Sequence, residues 1–145
     1  MFNKILVVCV GNICRSPIGE RLLQKHLPQL KVNSAGIKAL VGRPADPNSI
    51  FVAAEKNIDL SLHIAQQLTA ELIAEHDLIL VMERGHINAV TKLAPAARGK
   101  TMLFGQWNTQ QEIPDPYRQS IEAFEFVYAM MSESALKWAE KVKKA

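Results

Sequence analysis

Cys9 and Arg15 stand six positions apart in the stretch Val8-Cys9-Val10-Gly11-Asn12-Ile13-Cys14-Arg15-Ser16-Pro17. A thiol and a guanidinium at that spacing suit attack on a bound oxyanion. The sulfur is the nucleophile, and the planar fork of Arg15 matches two oxygens of a phosphate. Gly11 and Asn12 are the residue types that most readily take left-handed backbone conformations, which a loop needs if successive N–H groups are to converge on one centre. Ser16 either caps the following helix or donates its hydroxyl to the Cys9 sulfur, and Pro17 suits a first helical turn. Asp115, between Pro114 and Pro116, is the candidate proton donor to the leaving group, because both rings restrict the backbone that carries it.

The elements around these residues explain their placement. Residues 5–8 form an apolar run of strand character, and residues 18–27 repeat apolar side chains at helical spacing. Cys9 is therefore expected where a strand turns into a helix, a position rich in unpaired N–H groups that favour an anion. Gly19 lies within that helix and permits close packing. Further along, 30–35 reads as a strand, 36–48 as a loop, and Asp46-Pro47 as the start of a helix reaching Lys56. Residues 61–75 read as two short helices separated by a capping Thr69. The continuous apolar run 78–82 reads as a strand covered on both faces. A helix over 83–93, a strand over 100–104, a long polar loop over 105–118 and an amphipathic helix over 120–143 complete the chain.

Alternating strands and helices predict an α/β fold: a three-layer sandwich with a four-stranded parallel sheet, helices on both faces and the phosphate-binding loop after the first strand. Ligands in such folds bind at the carboxyl ends of the strands, where Cys9 falls. The 145 residues suffice for one domain spanning 1–145. The net charge is +3, with no basic stripe interleaved with aromatics, so nucleic acid is not an expected partner. No stretch suits membrane insertion, and Met1 to Lys4 lead into a strand rather than a signal peptide, so a cytoplasmic protein is expected. Both cysteines, Cys9 and Cys14, lie in one loop, which leaves no disulfide framework. His26, His76 and His86 have no partner at metal-ligand spacing and read as surface or packing residues, so no metal and no cofactor are expected.

The loop from Cys9 to Ser16, placed directly after the first strand, with Cys14 before the arginine and Asp115-Pro116-Tyr117 far downstream, resembles that of the low-molecular-weight protein tyrosine phosphatases. The resemblance implies a phosphate-binding site from Val10, Gly11, Asn12, Ile13, Cys14, Arg15 and Ser16, with Cys9 as nucleophile and Asp115 as general acid. It implies an aromatic wall at Tyr117 and a supporting role for His63, which would hold Asn12. It also suggests a reversible disulfide between Cys9 and Cys14, although Cys14 equally suits simple packing. Arg118 follows Tyr117 where family members often carry a second aromatic, and Leu40 falls where many eukaryotic relatives carry a tryptophan. Both departures resemble the bacterial branch associated with capsule and exopolysaccharide export. The implied partner is a phosphotyrosine protein, a bacterial tyrosine kinase, acted on by a monomer.

Other readings fit parts of the pattern. An arsenate reductase uses a similar loop but passes oxidation to further cysteines, which this chain lacks. A phosphocarrier would not need Arg15 or Asp115, and a pure binding module would need neither Cys9 nor Asp115. Taken singly, Asp115 suits a turn, Tyr117 a surface position and His63 a structural hydrogen bond. Glu83-Arg84 reads as a solvated helix start, and Trp107 as either a cleft edge or a filler beneath the long loop.

Overall fold

The computed structural model describes residues 2–144. Strands β1 (Lys4–Cys9), β2 (Lys31–Gly36), β3 (Leu78–Val81) and β4 (Thr101–Leu103) form one parallel sheet in the order β2-β1-β3-β4. Helices α1 (Arg15–His26), α2 (Pro47–Glu55), α3 (Ala70–Glu75), α4 (Arg84–Leu93) and α5 (Ile121–Lys144) complete the layers, with a 3-10 turn over Pro95–Lys100 before β4. This is the expected three-layer α/β sandwich.

The side-chain alternation of β1 divides the core. Ile5, Val7 and Cys9 face a cluster with Leu22 and Leu23 of α1, Val52 of α2, and Phe124 and Met131 of α5. Leu6 and Val8 face the opposite cluster with Ile73 of α3 and Val90 of α4. β1 is thus buried on both sides, and its carboxyl end opens between β2 and β3. Gly19 serves the packing of α1: a Cβ there would lie 2.8 Å from the Met131 Cε and 2.9 Å from the Phe104 Cε2.

One expectation fails. Of the two short helices read over 61–75, only α3 forms, capped by the Thr69 hydroxyl, which accepts from the Leu72 amide at 3.1 Å. Before it, Ser61 and Leu62 form a turn and Gln67 makes a single parallel bridge to Gly36. Gly36 N donates to Gln66 O, Leu68 N to Gly36 O, and Ala65 N to Arg43 O. The carboxyl end of β2 and the turn beyond it offer unpaired backbone groups, and pairing with them prevails over a weak local helical pattern. No described helix is long and apolar enough to cross a membrane.

Candidate active site

The loop after β1 is built by turning its carbonyls outward. Cys9 O accepts from Ile37 N at 2.9 Å, Val10 O from Lys38 N at 2.9 Å, and Gly11 O from Leu40 N at 3.0 Å. Asn12 O accepts from His63 Nε2 at 2.6 Å, Ile13 O from Asp46 N at 2.8 Å, and Cys14 O from the Ser49 hydroxyl at 3.1 Å. The amides of residues 11–14 have no protein acceptor among the described residues. A run of backbone with its acceptors consumed on the outside and its donors left inside is an anion cradle. Asn12 takes the left-handed turn within it, at φ 60°. Gly36 makes the close approach possible, since a Cβ there would sit 2.5 Å from Val10 O and 3.0 Å from the Asn12 amide.

A buried polar chain fixes the direction of each hydrogen bond behind the cradle. Asn12 Nδ2 donates to the Ser16 hydroxyl at 2.7 Å and to the Ser34 hydroxyl at 3.0 Å, while Ser34 donates to Glu20 Oε1 at 2.6 Å. Gln66 N donates to Asn12 Oδ1 at 2.9 Å. Because Ser16 already accepts from Asn12, its own proton is free for the Cys9 Sγ, 2.9 Å away. The Ser16 amide also points at that sulfur, at 3.4 Å. Of the two roles open to Ser16, the structure places it on the sulfur; residue 14 is the helix N-cap and gives no side-chain cap. The carbonyl at Asn12 can only accept, so His63 carries its proton on Nε2.

Arg15 is 1% exposed yet borders the cavity. Its Nη1 donates to Glu83 Oε2 at 2.6 Å and to Ile113 O at 2.7 Å. Its Nε has no hydrogen-bond partner among the described residues, and Nη2 lies 3.7 Å from Asp115 Oδ2. One side of the guanidinium is anchored, which leaves Nε and Nη2 for two oxygens of an anion. Glu83 therefore corrects the reading of a solvated helix start: its carboxylate orients Arg15. Its place two residues beyond β3, at the carboxyl end of a parallel strand, was the signal available in the sequence.

A cavity of about 170 Å³ gathers Cys9, Val10, Gly11, Ile13, Cys14 and Arg15 with Leu40 and Lys38 from beyond β2 and with Asp115 and Tyr117 from the long loop. Asn12 and Ser16 stand behind that lining, both fully buried. Asp115 Oδ1 accepts from the Tyr117 amide at 3.1 Å, a turn that holds the carboxyl. Burial, reinforced by the carboxylate of Asp46, pushes the Cys14 thiol far above its usual range, so Cys14 stays neutral beside Cys9. Both cysteines are buried and unpaired. Trp107 stands apart from the cavity lining, packed edge-on to Trp138 at 5.6 Å beneath Lys141. His86 lies 3.8 Å from Glu83, and burial, followed by the charge of Arg15, holds its basicity below the usual histidine value. His76 is a packing residue, as expected: Nδ1 donates to Leu72 O and Nε2 accepts from Asn33. Sequence reasoning missed Ser34, Gln66, Lys38 and Glu83 because each reaches the loop from a distant element, and Glu20 of α1 because it acts through Ser34 of β2.

Residues 4–145 match the family described as low molecular weight phosphotyrosine protein phosphatase. The chain belongs to that family. It is accordingly a protein-tyrosine-phosphatase by enzyme class. It is 57% identical to the low molecular weight protein-tyrosine-phosphatase Etp of Escherichia coli K12, over 97% of this chain and 95% of that protein. The probable low molecular weight protein-tyrosine-phosphatase AmsI of Erwinia amylovora is 56% identical over 95% of this chain and 96% of its own. The solved structure of Vibrio vulnificus Wzb in complex with benzylphosphonate superposes with a TM-score of 0.96 at 60% identity, covering 97% of this chain and 99% of that one.

Proposed function

We propose that this phosphatase hydrolyses phosphotyrosine through a phosphocysteine intermediate, with residues 1–145 working as one domain and no cofactor. The observation that carries this reading is the convergence of Cys9, Arg15 and Asp115 on one cavity. The Cys9 sulfur attacks phosphorus and the bond to the phenol oxygen breaks, while Asp115 gives that oxygen its proton. The inward amides of the cradle and the free side of Arg15 hold the equatorial oxygens as charge shifts onto them. Water, giving a proton back to Asp115, then attacks phosphorus and breaks the S–P bond, releasing phosphate. Ser16, held by Asn12, steadies the sulfur as nucleophile and as leaving group. Tyr117 and Leu40 wall the cavity on either side of a phenol ring.

The relatives named Wzb and AmsI support a narrower reading. The substrate is an autophosphorylated bacterial tyrosine kinase that controls capsular or exopolysaccharide synthesis or export, met in the cytoplasm by a monomeric enzyme. Release of inorganic phosphate from an aryl phosphate, with a chelator present, tests the chemistry. Wild type should turn over, Cys9→Ser should not, and a rapid acid quench of wild type should trap phosphate on Cys9. Absence of phosphate release by wild type would sink the proposal.

A further inference from the structure

Lys38 lies outside the chemistry just described, yet its backbone is pinned to the site. Its amide donates to Val10 O at 2.9 Å, between the bonds that tie Ile37 to Cys9 and Leu40 to Gly11. The Cα of Lys38 is thereby fixed at the rim of the anion cradle, while its side chain is exposed and lines the cavity on the wall that carries Leu40. Among the described residues Lys38 makes no ion pair.

The charges around the mouth are unevenly engaged. Glu83 holds Arg15, Asp115 faces Arg15, and Glu112 lies 3.7 Å from Arg84 and accepts from its amide at 2.7 Å. On the long loop Arg118 rests at 5.2 Å over the ring of Tyr117, itself a lining residue, again with no carboxylate partner among the described residues. These acids are each engaged by a neighbouring cation, whereas exposed Lys38 and Arg118 make no ion pair among the described residues. Arg15 and the cradle amides already serve the phosphate, so a further ammonium on a flexible stem suits a second anion beside it.

We propose that Lys38 is a specificity-determining residue that pairs with an acidic side chain next to the phosphotyrosine of the substrate, so that the enzyme selects acidic phosphotyrosine segments. The proposal rests on the phosphotyrosine reading and adds the character of the flanking sequence. An exposed pair of this kind is worth about 0.2–1 kcal/mol, hence roughly a 1.4- to 5-fold preference, and salt weakens it.

The test compares two phosphotyrosine peptides that differ only by Glu or Gln beside the phosphotyrosine, and reads the ratio of their kcat/KM values. In wild type the Glu peptide should be favoured roughly 1.4- to 5-fold at low ionic strength, with the ratio shrinking as salt rises. Lys38→Gln should bring the ratio close to one, Lys38→Glu should invert it, and Lys38→Arg should restore it. A wild-type ratio of one, or a ratio that survives Lys38→Gln, overturns the proposal. So does an equal loss on both peptides, which would assign Lys38 to the phosphate instead. Failure of wild type to hydrolyse either peptide would refute the underlying phosphotyrosine reading, an outcome distinct from turnover without discrimination.

Discussion

The two loops that meet at the cavity are held in opposite ways. In the loop from Cys9 to Cys14 every carbonyl has a donor from elsewhere in the chain, and Asn12, Arg15 and Ser16 beside it are at most 1% exposed. The loop from Gly105 to Ser120 presents Asp115 with a side chain 42% exposed and Tyr117 at 38%. It is tied to the body near Ile113, whose amide donates to Met82 O at 2.9 Å and whose carbonyl accepts from Arg15. Thr109, Gln110 and Arg118 hold positive φ values of 55°, 53° and 62°, each a conformation that disfavours a side chain. On the proposed mechanism the nucleophile is thus set in a cradle held on every carbonyl, and the acid is carried on a more exposed arm. Arg15 joins the two, since it leaves the cradle and binds the backbone of the arm.

That contrast is open to measurement. The largest effect should come from the arm. Asp115→Asn should cost on the order of 10²–10⁴ in kcat for phosphate esters with poor leaving groups, and little for those whose alcohol departs without a proton. Equal losses across a leaving-group series would make Asp115 a structural residue and erase the distinction between the loops.

The cradle predicts a different response. Gly36→Ala pushes a methyl group against Val10 O, and a cradle with no slack should lose about 1–3 kcal/mol of stability together with affinity for inorganic phosphate. Gly85→Ala, where a Cβ meets nothing within 4 Å, serves as the comparison and should lose none. Thermal unfolding and a phosphate titration read both. If Gly36→Ala keeps wild-type stability and phosphate affinity, the cradle is more compliant than its hydrogen bonds indicate.

The smallest effect lies away from both loops, at His76. Burial holds the basicity of this imidazole below the usual histidine value; its bond to Leu72 is the main opposing influence, with Lys4 and then Lys100 adding to the lowering and Glu75 opposing it. The unfolded chain therefore takes up a proton near pH 6.5, while the folded chain does so only at lower pH. The resulting stability is present above about pH 6.5 and is lost as pH falls from there toward the folded value. Thermal midpoints should drop across that window, and His76→Gln should flatten the drop. An unchanged pH profile in His76→Gln would assign acid sensitivity to other groups.

Much of this arrangement was legible in the sequence because it is local. From Cys9 to Ser16 the thiol, the left-handed Asn12 and the guanidinium are close in the chain, so a single strand-to-helix turn gathers them. The alternation of apolar runs and amphipathic stretches likewise determined the parallel α/β architecture, and Asp115 was recognisable by the prolines around it. Residues 65–68 were not legible, because their partners are backbone groups at Gly36 and Arg43 that no local periodicity records. The same holds for Glu83 on Arg15, for Ser34 and Glu20 behind Asn12, and for Lys38 at the rim. Those contacts exist only once β2 and β3 flank β1, and strand order is decided by burying both faces of the sheet. The sequence by itself determined which chemistry the chain carries; the tertiary structure decided which distant side chains orient it.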